Sequence, residues 1–159
     1  QSFIVDILGK MVERNKNVHL LFLGDGELKD SIKKKVDTMQ LGKYVTFLGV
    51  RSDVSDILCA SDCFIMPSLY EGLPVSAVEA QCSGLPCVFS ENISNEIALT
   101  KNTTFLSLNN SLNNWCDKLT SNNLDCRASY SEEIRQKGYD VHNVAEKMQQ
   151  FYLSKVELK

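Results

Sequence analysis

The chain has 159 residues, 17 Lys+Arg against 20 Asp+Glu, and a formal charge of −3. Its 43% hydrophobic and 23% charged residues suit one globular domain with a substantial core. The mild acidity speaks against nucleic acid as the main partner, and no apolar run reaches the ~20 residues that span a bilayer. No basic-then-apolar leader opens the chain. It begins at Gln1 directly in a helical pattern and reads as part of a longer protein.

Phe3, Ile4, Ile7, Leu8, Met11 and Val12 recur at helical spacing and predict a first helix with one buried face. His19–Leu23 is a continuous apolar run closed by Gly24-Asp25-Gly26, the pattern of a buried strand and its turn. Residues 27–39 predict a helix, with Lys29, Lys33, Lys34 and Lys35 on a solvated face. Tyr44–Leu48 is the next strand, followed by a short helix over 52–60 capped by Ser52 or Asp53. Cys63–Met66 is a third strand, stopped by Pro67. Pro74 suits the first position of a helix running to about Ser83 and ended by Gly84. Pro86–Phe89, a short helix near Asn95–Leu99, a strand at Thr104–Leu106 and helices at 111–119 and 131–154 complete the pattern, the last broken near Gly138. The Asn-rich stretch 109–123 reads as a polar, variable surface.

Strands alternating with helices through short connections predict an α/β domain, a Rossmann-like parallel sheet with helices on both faces. Ligands of such sheets lie at the carboxyl ends of the strands. The candidate loops are therefore 24–27, 49–53, 67–74 and 90–95. Of these, 67–74 stands out: it enters a helix through Gly72 and Pro74, leaving the amides of Leu73, Val75 and Ser76 free at a positive helix end that suits an anion. Glu71 and Glu79 flank it, and a carboxylate can hold a vicinal diol through two hydrogen bonds. The loop thus suits a ligand of sugar, phosphate and nucleoside. Among 20 acidic residues, however, such a pair also arises by chance, and by spacing alone a cap and a solvated helix face explain it better.

The six cysteines, Cys59, Cys63, Cys82, Cys87, Cys116 and Cys126, include no Cys-x-x-Cys pair, and several lie in apolar segments. They read as reduced thiols of core strands and helices, and His19 and His142 are unsuitably spaced to complete a zinc site.

Glu71-Gly-Leu-Pro-Val-Ser-Ala-Val-Glu79 resembles the Glu-x7-Glu motif of retaining family-4 glycosyltransferases of the GT-B fold. The likeness extends in order through Leu21–Leu28, Val45–Val50, the Asp62-to-Ser68 strand and Gly84-Leu-Pro-Cys-Val, and the ending Lys137–Asp140 to Phe151–Leu153 is similar to the bacterial capsular and exopolysaccharide branch. The resemblance implies a catalytic-site role for Glu71, meeting hydroxyls of the donor sugar, and places the nucleotide ribose on Glu79. It also implies that the backbone of Gly72, Leu73, Pro74 and Val75 lies against sugar and diphosphate, and that Ser76 adds a hydroxyl. Val50 and Arg51 would frame the base, while Gly24 and Gly26 let the backbone approach the donor.

The same resemblance makes residues 1–159 a single donor-nucleotide-binding domain, the C-terminal half of a GT-B fold. On that reading it lacks its first strand, the diphosphate-gripping Arg and Lys beside it, and the N-terminal acceptor domain. The expected activity is transfer of a sugar from a UDP-sugar first, or GDP-mannose second, to a glycan or lipid-linked glycan acceptor in capsular or exopolysaccharide synthesis. No cofactor and no metal are expected. The expected location is the cytoplasm, with the inner membrane face, reached through the missing domain, left open. This fragment alone is expected to be inactive. A non-catalytic nucleotide-sugar-binding subunit and a GT-B-related epimerase are the alternatives.

Overall fold

The computed structural model describes residues 1–15, 17–121 and 129–156, with side chains through Lys155. Cys126 lies outside them, as does the end of the Asn-rich stretch.

Five parallel strands pair in two sets. β1 (Leu20–Leu23) pairs with β2 (Val45–Gly49), with Leu20 opposite Val45 and Phe22 opposite Phe47. β3 (Phe64–Met66), β4 (Cys87–Ser90) and β5 (Thr103–Leu106) form the second set, in that order, with Ile65, Val88 and Thr104 in register. Each strand leads into a helix or helical turn. The helices are α1 (Ser2–Arg14), α2 (Lys29–Thr38), α3 (Val54–Ala60), α4 (Val75–Cys82), α5 (Leu112–Thr120), α6 (Ser131–Gln136) and α7 (Val141–Val156). Short 3-10 turns at Gly42–Tyr44 and Asn95–Ile97 fill in between.

The larger sheet is sandwiched as expected. On one face α3 and α4 bring Leu58, Ala77 and Ala80 against Phe64, Met66, Cys87, Phe89 and Phe105. On the other, α1 and α5 bring Ile7, Trp115 and Cys116 against Cys63, Ile65, Val88 and Leu106. Fully buried large side chains such as Ile7, Val88 and Phe89 contribute about 1.5–3 kcal/mol each of transfer free energy. Two small alanines on α4 let its axis approach the sheet closely, which fixes the height of the loop before it.

α1 packs on both strand sets at once. Val5 and Leu8 join α2, Leu20, Phe22, Val45 and Phe47, whereas Ile7, Phe3 and Met11 join the cluster around Val88 and Trp115. Arg14 locks the end of α1 to α5 through Asp117 at 2.6 Å and Asn113 at 2.8 Å. The described part of the Asn-rich stretch is not simply surface: Asn109, Asn113 and Asn114 are exposed while Trp115 and Cys116 are fully buried.

Several expectations are corrected. β1 is not buried throughout: its strand alternates, with Leu20 and Phe22 toward α1 and Leu21 and Leu23 exposed on the opposite face. The lysines of α2 are not one solvated face. Lys35 reaches Asp6 at 2.6 Å and the Ser2 carbonyl and hydroxyl at 2.9 Å, Lys29 pairs with Asp25 at 3.0 Å, and Lys33 lies over the Phe47 ring. Cys87 and Cys116 are buried and Cys63 and Cys82 half-buried, but Cys59 is exposed on α3; all five are thiols. The break at Gly138 is present, the chain turning there between α6 and α7. α7 leaves Val141, Val144, Met148, Phe151 and Tyr152 exposed along one stripe. No helix among the described residues is long and apolar enough to cross a membrane.

Candidate functional site

All four candidate loops lie at the carboxyl ends of their strands, and hydrogen bonds tie them in pairs. Gly24, whose φ of 98° favours glycine, donates its amide to the Gly49 carbonyl at 2.7 Å and so joins the loops after β1 and β2. Space beside Gly24, Gly26 and Gly72 is open, since a Cβ there would meet nothing within 4 Å. Ser90, fully buried at the end of β4, donates its hydroxyl to the Ser68 carbonyl and joins the loops after β3 and β4. Ser68 in turn donates its hydroxyl to Glu71 Oε1 at 2.8 Å. A buried serine thus fixes the loop, and the loop fixes one oxygen of Glu71 while leaving the other available.

Pro74 is the N-cap of α4 rather than its first residue. The first amides to reach a carbonyl are those of Ala77 and Val78, both on Pro74 O, at 3.0 and 3.4 Å. The amides of Leu73, Val75 and Ser76 have no acceptor among the described residues, so the helix presents unpaired N–H groups with the positive end of its dipole. The other end of α4 is closed by paired amides, Gly84 N to Gln81 O at 3.0 Å and Leu85 N to Ala80 O at 3.1 Å, with Gly84 at φ 75°.

A cavity of about 490 Å³ opens beside Glu71, within the size range of small-molecule sites. Its lining takes Tyr70, Glu71, Gly72 and Leu73 from one loop and Asn92, Ser94, Glu96 and Ile97 from the next. Of the residues expected from sequence, Glu71, Gly72 and Leu73 line it. Pro74 is buried, and Val75, Ser76 and Glu79 are exposed on α4 outside it. Glu79 lies near Cys82, whose thiol is pushed up by burial and by that carboxylate. Val50, Arg51, Gly24 and Gly26 sit at the ends of the smaller strand set. Asn92, Ser94 and Glu96 had not been singled out. Their sign was only their place in a loop after a strand, since a Ser-Asn-Glu turn there resembles any helix cap; Ser94 does cap the 3-10 turn through Glu96 N at 3.3 Å.

Asp53 heads α3 but makes no side-chain cap. It pairs with Arg51, Oδ1 to Nε at 2.7 Å and Oδ2 to Nη2 at 2.5 Å. The hydrogen bond from Arg51 holds the Asp53 carboxyl below the usual range, and Asp53 holds the guanidinium more firmly charged. Val50, in the loop after β2, and Tyr70, in the loop after β3, are exposed at 83% and 82%. Among the described residues no three His, Cys, Asp or Glu side chains are grouped to hold a metal ion.

Comparison with known proteins gives the family and the fold. Residues 1–121 match the model of the family described as "Glycosyl transferases group 1". The chain is 34% identical over 143 residues to the glycosyltransferase EpsF of Bacillus subtilis, covering 87% of this chain and 37% of that protein. It is 47% identical over 83 residues to the UDP-Gal:alpha-D-GlcNAc-diphosphoundecaprenol alpha-1,3-galactosyltransferase of Escherichia coli, covering 52% of this chain and 21% of that protein. HepE of Anabaena, solved with UDP and glucose, superposes with a TM-score of 0.78 at 18% identity, over 97% of this chain and 44% of HepE. S. aureus TarM, solved with UDP, superposes with a TM-score of 0.77 at 22% identity, over 92% of this chain and 31% of TarM. The chain thus spans less than half the length of each of these proteins. The fold is that of GT-B glycosyltransferases, and the chain belongs to the glycosyl transferases group 1 family.

Proposed function

We propose that this domain holds the donor of a retaining, metal-independent glycosyltransferase, which moves a sugar from a nucleoside-diphosphate sugar to a glycan or lipid-linked glycan acceptor. A UDP-sugar is the first choice of donor and GDP-mannose the second. Relatives named for UDP-galactose and solved with UDP support the uridine reading. The Escherichia coli enzyme, named for a lipid-linked acceptor, supports the lipid-linked glycan; the pathway proposed is capsular or exopolysaccharide synthesis, in the cytoplasm, with the inner membrane face left open.

The observation that carries the reading is the head of α4, where three unpaired amides lie between two carboxylates with different surroundings. The amides of Leu73, Val75 and Ser76 meet the diphosphate, helped by the helix dipole and the Ser76 hydroxyl. Glu79 accepts from the two ribose hydroxyls. Glu71, oriented by Ser68, accepts from hydroxyls of the sugar, and Gly72 and Pro74 let the backbone lie along it. Val50 and Arg51 frame the base, the Asp53 pair keeping Arg51 in place, while Gly24 and Gly26 leave room beside the donor. As the sugar–phosphate bond breaks, charge grows on the diphosphate and these fixed dipoles stabilise it. No side chain of this domain needs to act as a base.

The domain is completed by one more parallel strand between β1 and β3, from the segment upstream of Gln1, and by a second domain that binds the acceptor. Both β1 and β3 have a free edge among the described residues, α1 packs on both strand sets, and the relatives are more than twice as long. The exposed stripe of α7 suits contact with that second domain.

Calorimetry on alanine variants of the full-length protein tests the assignment. Glu79→Ala should weaken both UDP and the whole donor by about tenfold or more, the worth of a hydrogen-bond pair to a charged group, about 1.5–3 kcal/mol. Glu71→Ala should leave UDP binding unchanged yet depress turnover, because its contact forms only with the sugar. The reverse pattern would exchange the two roles, and no effect from either would remove the site. Donor binding without transfer in the wild type would mark a non-catalytic subunit.

A further inference from the structure

The cavity beside Glu71 has two walls, and the donor reading uses only one of them. The second wall is the loop between β4 and the turn at Asn95–Ile97, carrying Asn92, Ser94 and Glu96. We propose that this wall reads the configuration of the donor's sugar ring, so that Asn92 and Glu96 are specificity-determining residues; the inference rests on the donor reading above.

The side chains of Asn92 and Glu96 are exposed and have no hydrogen-bond or ion-pair partner among the described residues. Ser94 Oγ accepts from Glu96 N at 3.3 Å and keeps its own proton to donate, so it serves as the turn's cap and not as the reader of configuration. Asn92 offers donors and an acceptor, and Glu96 offers acceptors only. Across the cavity Glu71 also accepts only, with one oxygen already taken by Ser68. A ligand bridging Glu71 and Glu96 must therefore donate at both ends, as a ring with hydroxyls on opposite edges does. Tyr70, exposed on the same lining, offers an aromatic face to the C–H side of such a ring.

Anchoring also differs between the walls. Glu71 is fixed by Ser68 and by buried Ser90, which suits a contact common to all donors. Asn92 and Glu96 sit on a turn held by Ser94 and by Ile97, which is buried. Ile97 anchors the turn, and the two polar side chains have no partner in the chain's own described residues. Selection among epimers then falls to the second wall, since hydroxyl configuration decides which of its groups is left unpaired.

The test uses full-length protein with UDP, UDP-glucose, UDP-galactose, UDP-N-acetylglucosamine and GDP-mannose as probes, and the variants Asn92→Ala and Glu96→Gln. Glu96→Gln keeps shape and backbone, and thermal melts check that both variants fold. For the preferred donor kcat/KM should fall about tenfold or more, and the ratio between epimeric donors should shrink in at least one variant. UDP affinity should stay within about twofold, because the wall meets the sugar alone. Unchanged donor ratios in both variants would overturn the assignment while leaving the donor site standing, provided Glu79→Ala still weakens UDP. Loss of UDP affinity in these variants would also overturn it, moving the wall to the nucleotide. If the wild type binds none of the probes, the donor reading itself fails and takes this one with it.

Discussion

Gln81 lies two residues beyond Glu79 and is fully buried, where a polar side chain must find partners for every group it carries. Its Nε2 donates to the Ala77 and Ile97 carbonyls at 3.0 and 2.9 Å, and its Oε1 accepts from Leu99 N at 2.9 Å, Thr100 N at 3.1 Å and Thr103 Oγ1 at 3.0 Å. One amide thus ties α4, which carries Glu79 and follows the Glu71 loop, to the segment leading into β5. Gln81→Ala should lower stability by about 3 kcal/mol, since several buried groups lose their partner at once. A urea titration measures this, and a loss below about 1 kcal/mol would contradict it. None of this was legible in sequence, because a glutamine in a helix reads as surface and, the Ala77 carbonyl apart, its partners lie 16 to 22 residues downstream. Glu71 and Glu79, by contrast, stand out through their motif, although their spacing alone is uninformative. The orienting hydroxyls of Ser68 and Ser90 were equally hidden, since serine near a strand end is common and only the three-dimensional structure joins the two.

Strands and helices were far easier to read than their faces. The apolar runs His19–Leu23 and Pro86–Phe89 both read as buried strands, yet β4 is buried at every residue while β1 alternates between half-buried and exposed. Burial depends on what covers the second face, which period-two patterning cannot report for an all-apolar run. The same reasoning makes β1 and β3 informative. A parallel strand uses alternate peptide groups on its two sides, and each of these has a neighbour on one side among the described residues. With a further strand between them, hydrogen exchange in the full-length protein should be slow at every interior amide of β1. Fast exchange at alternate amides would show β1 to be a true sheet edge. The lysines of α2 carry a similar lesson: a charge cluster looks solvated in sequence, while Lys35 is spent on Asp6 and the start of α1.

At the scale of the whole molecule, parallel strands bring every candidate loop to their carboxyl ends, and two hydrogen bonds, Gly24 to Gly49 and Ser90 to Ser68, couple those loops in pairs. Sheets of this kind hold ligands at that end, which is why the candidate loops were legible in sequence and the second wall of the cavity was not. In the proposed reading phosphate would be met there by unpaired backbone amides at a helix end, and the chain carries no Asp-x-Asp motif. The most direct test of the donor-binding claim is calorimetric titration of the full-length protein with UDP in excess EDTA. One saturable site, with the same affinity when manganese replaces the chelator, is the result expected. Absence of saturable binding, or binding that EDTA abolishes and manganese restores, would contradict it.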